Sequence, residues 1–287
     1  MDIEIRPARP DDRAAIAAFT EDTFAWGDYV PDSFDDWLAA ADSEVLVATT
    51  AGTPVALARV VQLSPDEIWL HAARVQPSHR RQGLGLALNR ACLQWGRDRG
   101  AVVARLMIED WNEAARLQVE RGGYRRIANW FHARREVHDP PPSPTGPGLR
   151  PPEPLRIAPR PEAEGAFMSW STSELARAAH GLRGERWHFR QMTIDHLIQD
   201  AERRHLWEAP SGWISIEHGP DGNAWVAWLM TTPGEAELLV AALLTKLRSD
   251  GAMSVSVLLP RLPWLIAAFE ASGFDVHPNG IWEIRVD

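Results

Sequence analysis

Apolar positions change their period several times along the first half of the chain, and each change marks an element. Residues 3–6 alternate as a short strand, and Asp11 or Asp12 is placed to cap an Ala-rich helix reaching about Phe24. Ser33 opens a second helix through Phe34 and Trp37. Apolar, β-branched runs at 45–49 and 54–62 read as strands joined at Ala51-Gly52-Thr53, a hairpin signal, and residues 68–75 read as a further strand. From about 83 to 99 the spacing becomes helical, with Leu84, Leu88, Ala91 and Trp95 on one face. Residues 101–108 read as a strand, 112–121 as a helix and 124–134 as a last strand. Helices interleaved with a mixed sheet give an α/β (α+β) class.

The pattern then recurs. Gly100-Ala101 leads into the apolar run VVARLMI, and Gly251-Ala252 leads into MSVSVLL, an offset of 251 − 100 = 151. Gly123-Tyr124 and Gly273-Phe274 recur at 273 − 123 = 150, and the openings IEIRPARP and LRIAPRPE are alike. Two nearly equal offsets with matching flanks argue for a duplicated fold. Between the copies, eight of the eighteen residues 139–156 are proline, which cannot donate to a regular hydrogen-bond ladder. The expected organisation is a domain over 1–138, a Pro-rich linker over 139–154 and a second domain over 155–287.

Composition narrows the class. The chain has 287 residues, 45% hydrophobic and 24% charged, which is ordinary for a globular protein of about two domains. Its single cysteine, Cys92, excludes a disulfide framework and a Cys-based zinc site and fits a reducing, cytoplasmic setting. Cys92 falls near the apolar face of the 83–99 helix and reads as packing, not as a nucleophile. The N-terminus lacks the basic and apolar regions of a signal peptide, and the apolar run at 238–244 is too short to cross a bilayer. His180, His188, His196 and His205 are too widely spaced for one helical face, so no metal site is expected. A net charge of −9 argues against nucleic acid. The charge is uneven: residues 1–70 hold fourteen Asp/Glu against four Arg, and 71–139 hold seven against thirteen. Scattered solvated charge or two ligands of opposite sign would each account for that.

The chemistry concentrates in Val75-Gln76-Pro77-Ser78-His79-Arg80-Arg81-Gln82-Gly83-Leu84-Gly85-Leu86, which leaves a strand and opens a helix. A helix N-terminus presents unpaired N–H groups and partial positive charge, and glycines let that backbone approach an anion, so the loop suits a phosphate or pyrophosphate. A Walker A loop needs Gly-Lys-Ser/Thr, and no Lys lies near. A dinucleotide fingerprint needs Gly or Ala where Leu88 stands.

The order strand, Pro, Arg pair, GxG, helix resembles the GNAT acyltransferases, whose loop pattern is Gln/Arg-x-x-Gly-x-Gly/Ala. Asn112, Ala115 and Gly123-Tyr124 match that family's next signature, and the resemblance covers about residues 3–136. The second copy has Thr231-Thr232-Pro233-Gly234-Glu235-Ala236 at the loop, with neither Arg nor paired glycines. The chain is therefore similar to tandem GNAT proteins, with an intact N-terminal and a degenerate C-terminal domain, each a mixed, mostly antiparallel sheet flanked by helices. The resemblance implies acetyl-CoA as co-substrate. Backbone groups from Gln82 through Gly83, Leu84 and Gly85 to Leu86, with Arg80 and Arg81, would hold its pyrophosphate. The strand ending at Val75 would splay from its neighbour, the Val75 N–H would serve as oxyanion donor, and Asn112 would hydrogen-bond the pantetheine region. The acetyl group would pass directly to a primary amine of a small molecule or peptide. No nucleic-acid or membrane partner is expected, and the tandem copy leaves both a monomer and a homodimer open.

The sequence departs from the family at the usual general acid, a Tyr seven residues after the Asn, where Val119 stands. Either turnover is slow or another group such as Tyr29 substitutes. His71, expected by alternation on the same face as Ala73 and Val75, is a candidate general base, with Glu67, Glu109 or water as fallbacks. In the resembled family the segment rich in acidic and aromatic residues before 45 lines the acceptor side. Trp26, Tyr29 and Phe34 are its candidate contacts to a cationic amine, and core packing is the competing role for these rings. Two rival readings remain: a coenzyme A-binding sensor or scaffold without turnover, and an acyltransferase using a longer acyl-CoA.

Overall fold

The computed structural model describes residues 3–24, 27–138 and 151–286. By contact the chain divides into two units. The first takes the residues up to Arg126 together with those from Trp282 onward, and the second takes Ile127–Ile281.

In the first unit, β1 (Ile3–Pro7) is followed by α1 (Arg13–Thr20), α2 (Val30–Ala39), β2 (Ser43–Thr50), β3 (Thr53–Ser64), β4 (Glu67–Val75), α3 (Leu84–Arg97), β5 (Val103–Glu109) and α4 (Glu113–Arg121). Its sheet runs β1-β2-β3-β4-β5. All neighbours are antiparallel except β4 and β5, which are parallel. Helices cover both faces, so β2 and β3 are apolar almost continuously rather than alternating. One face carries a core of Leu88, Cys92, Ile68, Leu106 and Ile108 under α3. The other carries Ile16, Phe34, Trp37, Val47, Leu57 and Ala72 under α1 and α2.

The end of the chain completes this unit. Trp282 and Val286 are buried in the core under α3, and the Val286 N–H donates to the Val102 carbonyl at 3.0 Å. The buried Arg105 on β5 pairs with Glu67 on β4 and, at 2.7 Å, with Glu283.

The second unit begins with β6 (Arg125–Glu136), which enters it from Ile127. There follow β7 (Arg156–Ile157), α5 (Glu162–Ser171), α6 (Glu174–Ala178), β8 (Leu182–Glu185), β9 (His188–Gln191), α7 (Ile194–Glu202), β10 (Leu206–Ala209), β11 (Gly212–His218), β12 (Asn223–Met230), α8 (Ala236–Ser249), β13 (Ser254–Pro260), α9 (Pro263–Ala271) and β14 (Asp275–Arg285). Its strands run β6-β13-β12-β11-β10-β7, with β12 and β13 the parallel pair. The duplication is visible in the elements: β5 and β13 start 151 residues apart, 254 − 103.

This division differs from the expected 1–138 and 155–287. Strand β6, expected as the last strand of the first domain, pairs in register with β13 from Trp130↔Pro260 to Glu136↔Ser254. The last strand segment of the first unit comes instead from after residue 281. A hydrophobic pattern identifies a strand but not its neighbour, so the sequence carried no sign of this exchange. Of the expected linker, residues 139–150 lie outside the described residues. No described helix is long and apolar enough to cross a membrane, and no cluster of metal-ligating side chains occurs among the described residues.

Candidate active site

The parallel strands β4 and β5 pair only at Glu67↔Val103, Ile68↔Ala104 and Trp69↔Arg105. Beyond these positions β4 continues to Val75 and β5 to Glu109 without pairing to each other, so the sheet opens between their C-terminal ends. The edge that β4 turns to this opening follows from its pairing with β3. The Gln76 N–H donates to the Val55 carbonyl at 2.8 Å. Successive N–H groups of a strand point to opposite edges, so the Val75 N–H points away from β3, toward the opening. The Val75 carbonyl accepts from Arg80 Nε at 3.3 Å.

Strand β4 is irregular just before this point. Its register with β3 slips between Leu57↔Arg74 and Arg59↔His71, and Ala72 takes φ +57°. This is a β-bulge, and it reverses the alternation downstream. His71 and Ala72 both face α1 and α2, Arg74 follows them, and Val75 packs on the α3 side. The expected placement of His71 on one face with Ala73 and Val75 is therefore corrected. His71 stands edge-on to Trp37 with ring centroids 5.4 Å apart, and its Nε2 lies 3.5 Å from Arg59 Nη1.

The loop after β4 delivers the glycines. A 3₁₀ turn at Pro77–His79 leads to Arg81 at φ +61° and Gly83 at φ +81°, the residue before α3. A left-handed residue at that position favours glycine. No side chain caps α3, and its first ladder bond is the Ala87 N–H to the Gly83 carbonyl at 3.0 Å. The amides of Leu84, Gly85 and Leu86 therefore precede the ladder and form the positive end of the helix. Gly83, Gln82, Arg80 and Arg81 are exposed, while Gly85 and Leu86 are half-buried and Leu84 is core. Gly85 has a different reason to be glycine: a Cβ there would meet the Gln118 side chain of α4 at 2.6 Å. Asn112 precedes α4, and its Oδ1 accepts from the Ala115 N–H at 3.1 Å, so that oxygen serves as the helix cap.

On the α1–α2 side, Asp28 and Arg74 form a two-point ion pair, Nε–Oδ2 2.7 Å and Nη2–Oδ1 3.3 Å, with the Asp28 side chain wholly buried. The Arg74 guanidinium also stands over the Tyr29 ring, 5.4 Å from its centroid. Arg74 was not a candidate from sequence; its signal was a charged residue inside an apolar strand, opposite an acidic segment. Phe34 is fully buried in the core under α1 and α2, so it cannot touch a ligand, whereas Tyr29 is 38% exposed. Trp26 lies outside the described residues. A cavity of about 450 Å³ beside them is lined by Ala17, Ala18, Glu21, Gly27, Asp28, Pro31 and Asp32.

Of the other candidates, all but Glu109 are buried. Glu67 is buried against Arg105 at the paired end of β4, away from the opening. Alternation from Ala104, Leu106 and Ile108, which face α3, puts Glu109 on the α1–α2 side at the open end of β5. Val119 is buried under α3, and Tyr124 is buried with its hydroxyl accepting from Asn89 Nδ2 at 3.2 Å. Burial pushes the Cys92 thiol up to about 12, which leaves it a protonated core side chain. In the second unit the corresponding loop, 231–236, ends with Glu235 at φ −114° before α8, without a left-handed residue.

Residues 13–122 match the family model of the acetyltransferase (GNAT) family. No curated protein sequence matches significantly. The structure is similar to a GCN5-related N-acetyltransferase from Sphaerobacter thermophilus (TM-score 0.70, 16% identity, 99% of this chain and 96% of that one covered). It is also similar to a GCN5-related N-acetyltransferase from Kribbella flavida (TM-score 0.50, 16%, 100% and 72%). A third similar structure is a tandem GNAT protein from the clavulanic acid biosynthesis pathway (TM-score 0.59, 16%, 100% and 99%). At these identities the likeness is one of fold, and the fold is that of a tandem GNAT protein.

Proposed function

We propose that this chain, which carries a GNAT-family domain over residues 13–122, transfers an acetyl group from acetyl-CoA directly to a primary amine of a cationic acceptor. The observation that carries the reading is the opening between β4 and β5, with the Val75 N–H turned toward it and the uncapped start of α3 beside it. The residues fit the donor's chemistry. Amides of Leu84, Gly85 and Leu86, with Arg80 and Arg81 alongside, suit a pyrophosphate. Asn112 Nδ2 suits an amide carbonyl of the pantetheine arm. The Val75 N–H, fixed by β3, suits an oxygen that gains negative charge as nitrogen attacks, a contribution of about 3 kcal/mol in comparable sites.

Attack requires a neutral amine. His71 Nε2 is engaged with Arg59 Nη1 at 3.5 Å. The reading therefore gives deprotonation to water, with Glu109 at the open end of β5 as the receiving carboxylate, and gives His71 a packing role against Trp37. Glu21 and Asp32 on the cavity wall attract a cation, since Asp28 is committed to Arg74. The reaction is placed in the first unit, and the second unit supplies no second donor loop. Localisation in the cytoplasm accords with the free thiol.

The test is calorimetric titration with acetyl-CoA, followed by release of free thiol over a panel of primary amines. Binding together with amine-dependent release is expected. Binding without release on any amine would favour the sensor reading, a larger rate with butyryl- or hexanoyl-CoA would favour a longer acyl donor, and no binding would overturn the proposal.

A further inference from the structure

One side chain ties the open edge of β4 to the cavity on the α1–α2 side. The Arg74 N–H, like that of Gln76, points to β3. A trans peptide sets its carbonyl opposite its N–H, so the Ala73 carbonyl points to the opening between β4 and β5. Arg74 Nη1 donates to that carbonyl at 3.1 Å, which places the guanidinium at the open edge, one residue before Val75. Its other donors turn away from the edge. Nε and Nη2 hold the buried Asp28 carboxylate, and the guanidinium carbon lies 5.2 Å from the centroid of the Phe24 ring and 5.4 Å from that of Tyr29. Asp28 passes the tie on. Its Oδ1 also accepts the N–H of Val30, the first residue of α2, at 3.1 Å. Gly27 and Asp28, with Pro31 and Asp32 of α2, line the cavity of about 450 Å³.

We infer that Arg74 is a positioning residue that sets the acceptor cavity against the open edge of β4, so that an amine held in the cavity is aligned with the thioester carbonyl at the Val75 N–H. The inference rests on the proposed acyl transfer and deepens it by separating the alignment of the acceptor from the binding of the donor. Arginine suits the part for a geometric reason. Its planar fork takes the Asp28 carboxylate at two points and still has Nη1 for the Ala73 carbonyl, whereas a lysine ammonium is a point charge on a flexible stem. Phe24 and Tyr29 flank the guanidinium and restrict its movement. The donor side is held by other means. The amides of Leu84, Gly85 and Leu86 follow from the left-handed turn at Gly83, to which Arg74 makes no contact. Loosening the tie therefore moves the amine relative to the carbonyl and leaves the pyrophosphate cup as it was. A shift of about 1 Å between reacting atoms costs about 10²-fold in rate.

The test compares Arg74→Lys, Asp28→Asn and the double variant in the full chain, by calorimetric titration with acetyl-CoA and by transfer to the panel of primary amines. Arg74→Lys keeps the charge and loses the fork. Asp28→Asn keeps an oxygen for the Val30 N–H and loses the ion pair. Each should lower kcat for the amines about 10²-fold while the Kd and KM for acetyl-CoA stay at their wild-type values. The double variant should be no slower than the slower single variant, because both groups act through one contact. A merely structural role would weaken acetyl-CoA binding along with transfer, and that result overturns the inference. So does an unchanged kcat in either single variant, or a double variant in which the two losses multiply. Wild-type protein that binds acetyl-CoA and acylates no amine would refute the acyl-transfer reading itself, and this inference with it; with an active wild type, only the inference is at stake.

Discussion

Ending the chain after Ile281 is the sharpest perturbation available. The segment removed contains no residue of the candidate site, yet it belongs to the unit that does. Trp282 is 4% exposed in the core under α3, and loss of a buried aromatic of this size costs about 3–5 kcal/mol. Val286, also buried, adds about 2 kcal/mol. Loss of Glu283 removes one of the two carboxylates of the buried Arg105, a further charge-assisted bond of about 1.5–3 kcal/mol. The total is comparable to the whole stability of a domain, about 5–15 kcal/mol. The shortened chain should therefore fail to bind acetyl-CoA, while the second unit, which keeps all its residues, should retain its own cooperative transition in guanidinium. Trp282→Ala and Glu283→Gln in the full chain should grade the loss, the first costing more. A truncated protein that binds acetyl-CoA with the full-length Kd would refute the reasoning.

Three single positions carry the remaining predictions. Gly83→Ala forces a side chain into a left-handed conformation at a cost of about 1–2 kcal/mol; an empty loop that relaxes out of it carries that cost into binding, so calorimetry should find acetyl-CoA affinity roughly 5–30-fold weaker. Gly85→Ala should also weaken binding, and Gln118→Ala in the same chain should restore it, because the clash is with that side chain. In the second unit, burial against Trp187 and Trp225, with His277 and Arg134 nearby, holds His132 down to about 4. The folded form then binds fewer protons than the unfolded one between about pH 4 and pH 6.5, so acidification through that window should weaken the protein by an amount of order 3 kcal/mol. His132→Phe should flatten the denaturation midpoint between about pH 7 and pH 5; an unaltered pH dependence would show that other groups govern it.

What the sequence disclosed was what depends on local backbone demands. The loop from Val75 to Leu86 could be read directly, because proline, the arginine pair and a left-handed glycine each impose their own conformation on a short stretch. The duplication was legible because turns such as Gly100 and Gly251 recur in matching surroundings. The bulge at Ala72 was not, since alanine at positive φ carries no glycine to mark it, and so the face of His71 was misread by one residue. Phe34 and Tyr29 looked equivalent as aromatic residues in an acidic segment. Only tertiary packing separates the buried ring from the exposed one. The second unit's claim on β6 was likewise hidden, because strand pairing is a long-range choice.

The exchange of end strands also orders events on the ribosome. Every motif of the donor loop emerges early, yet the sheet that supports it lacks its last segment until residues 127–281 have been made and residues 282–286 leave the exit tunnel. Domains usually fold as they emerge. Here the first unit to be started is the last to be finished, and until then a nascent chain exposes the apolar groove that Trp282 and Val286 will fill.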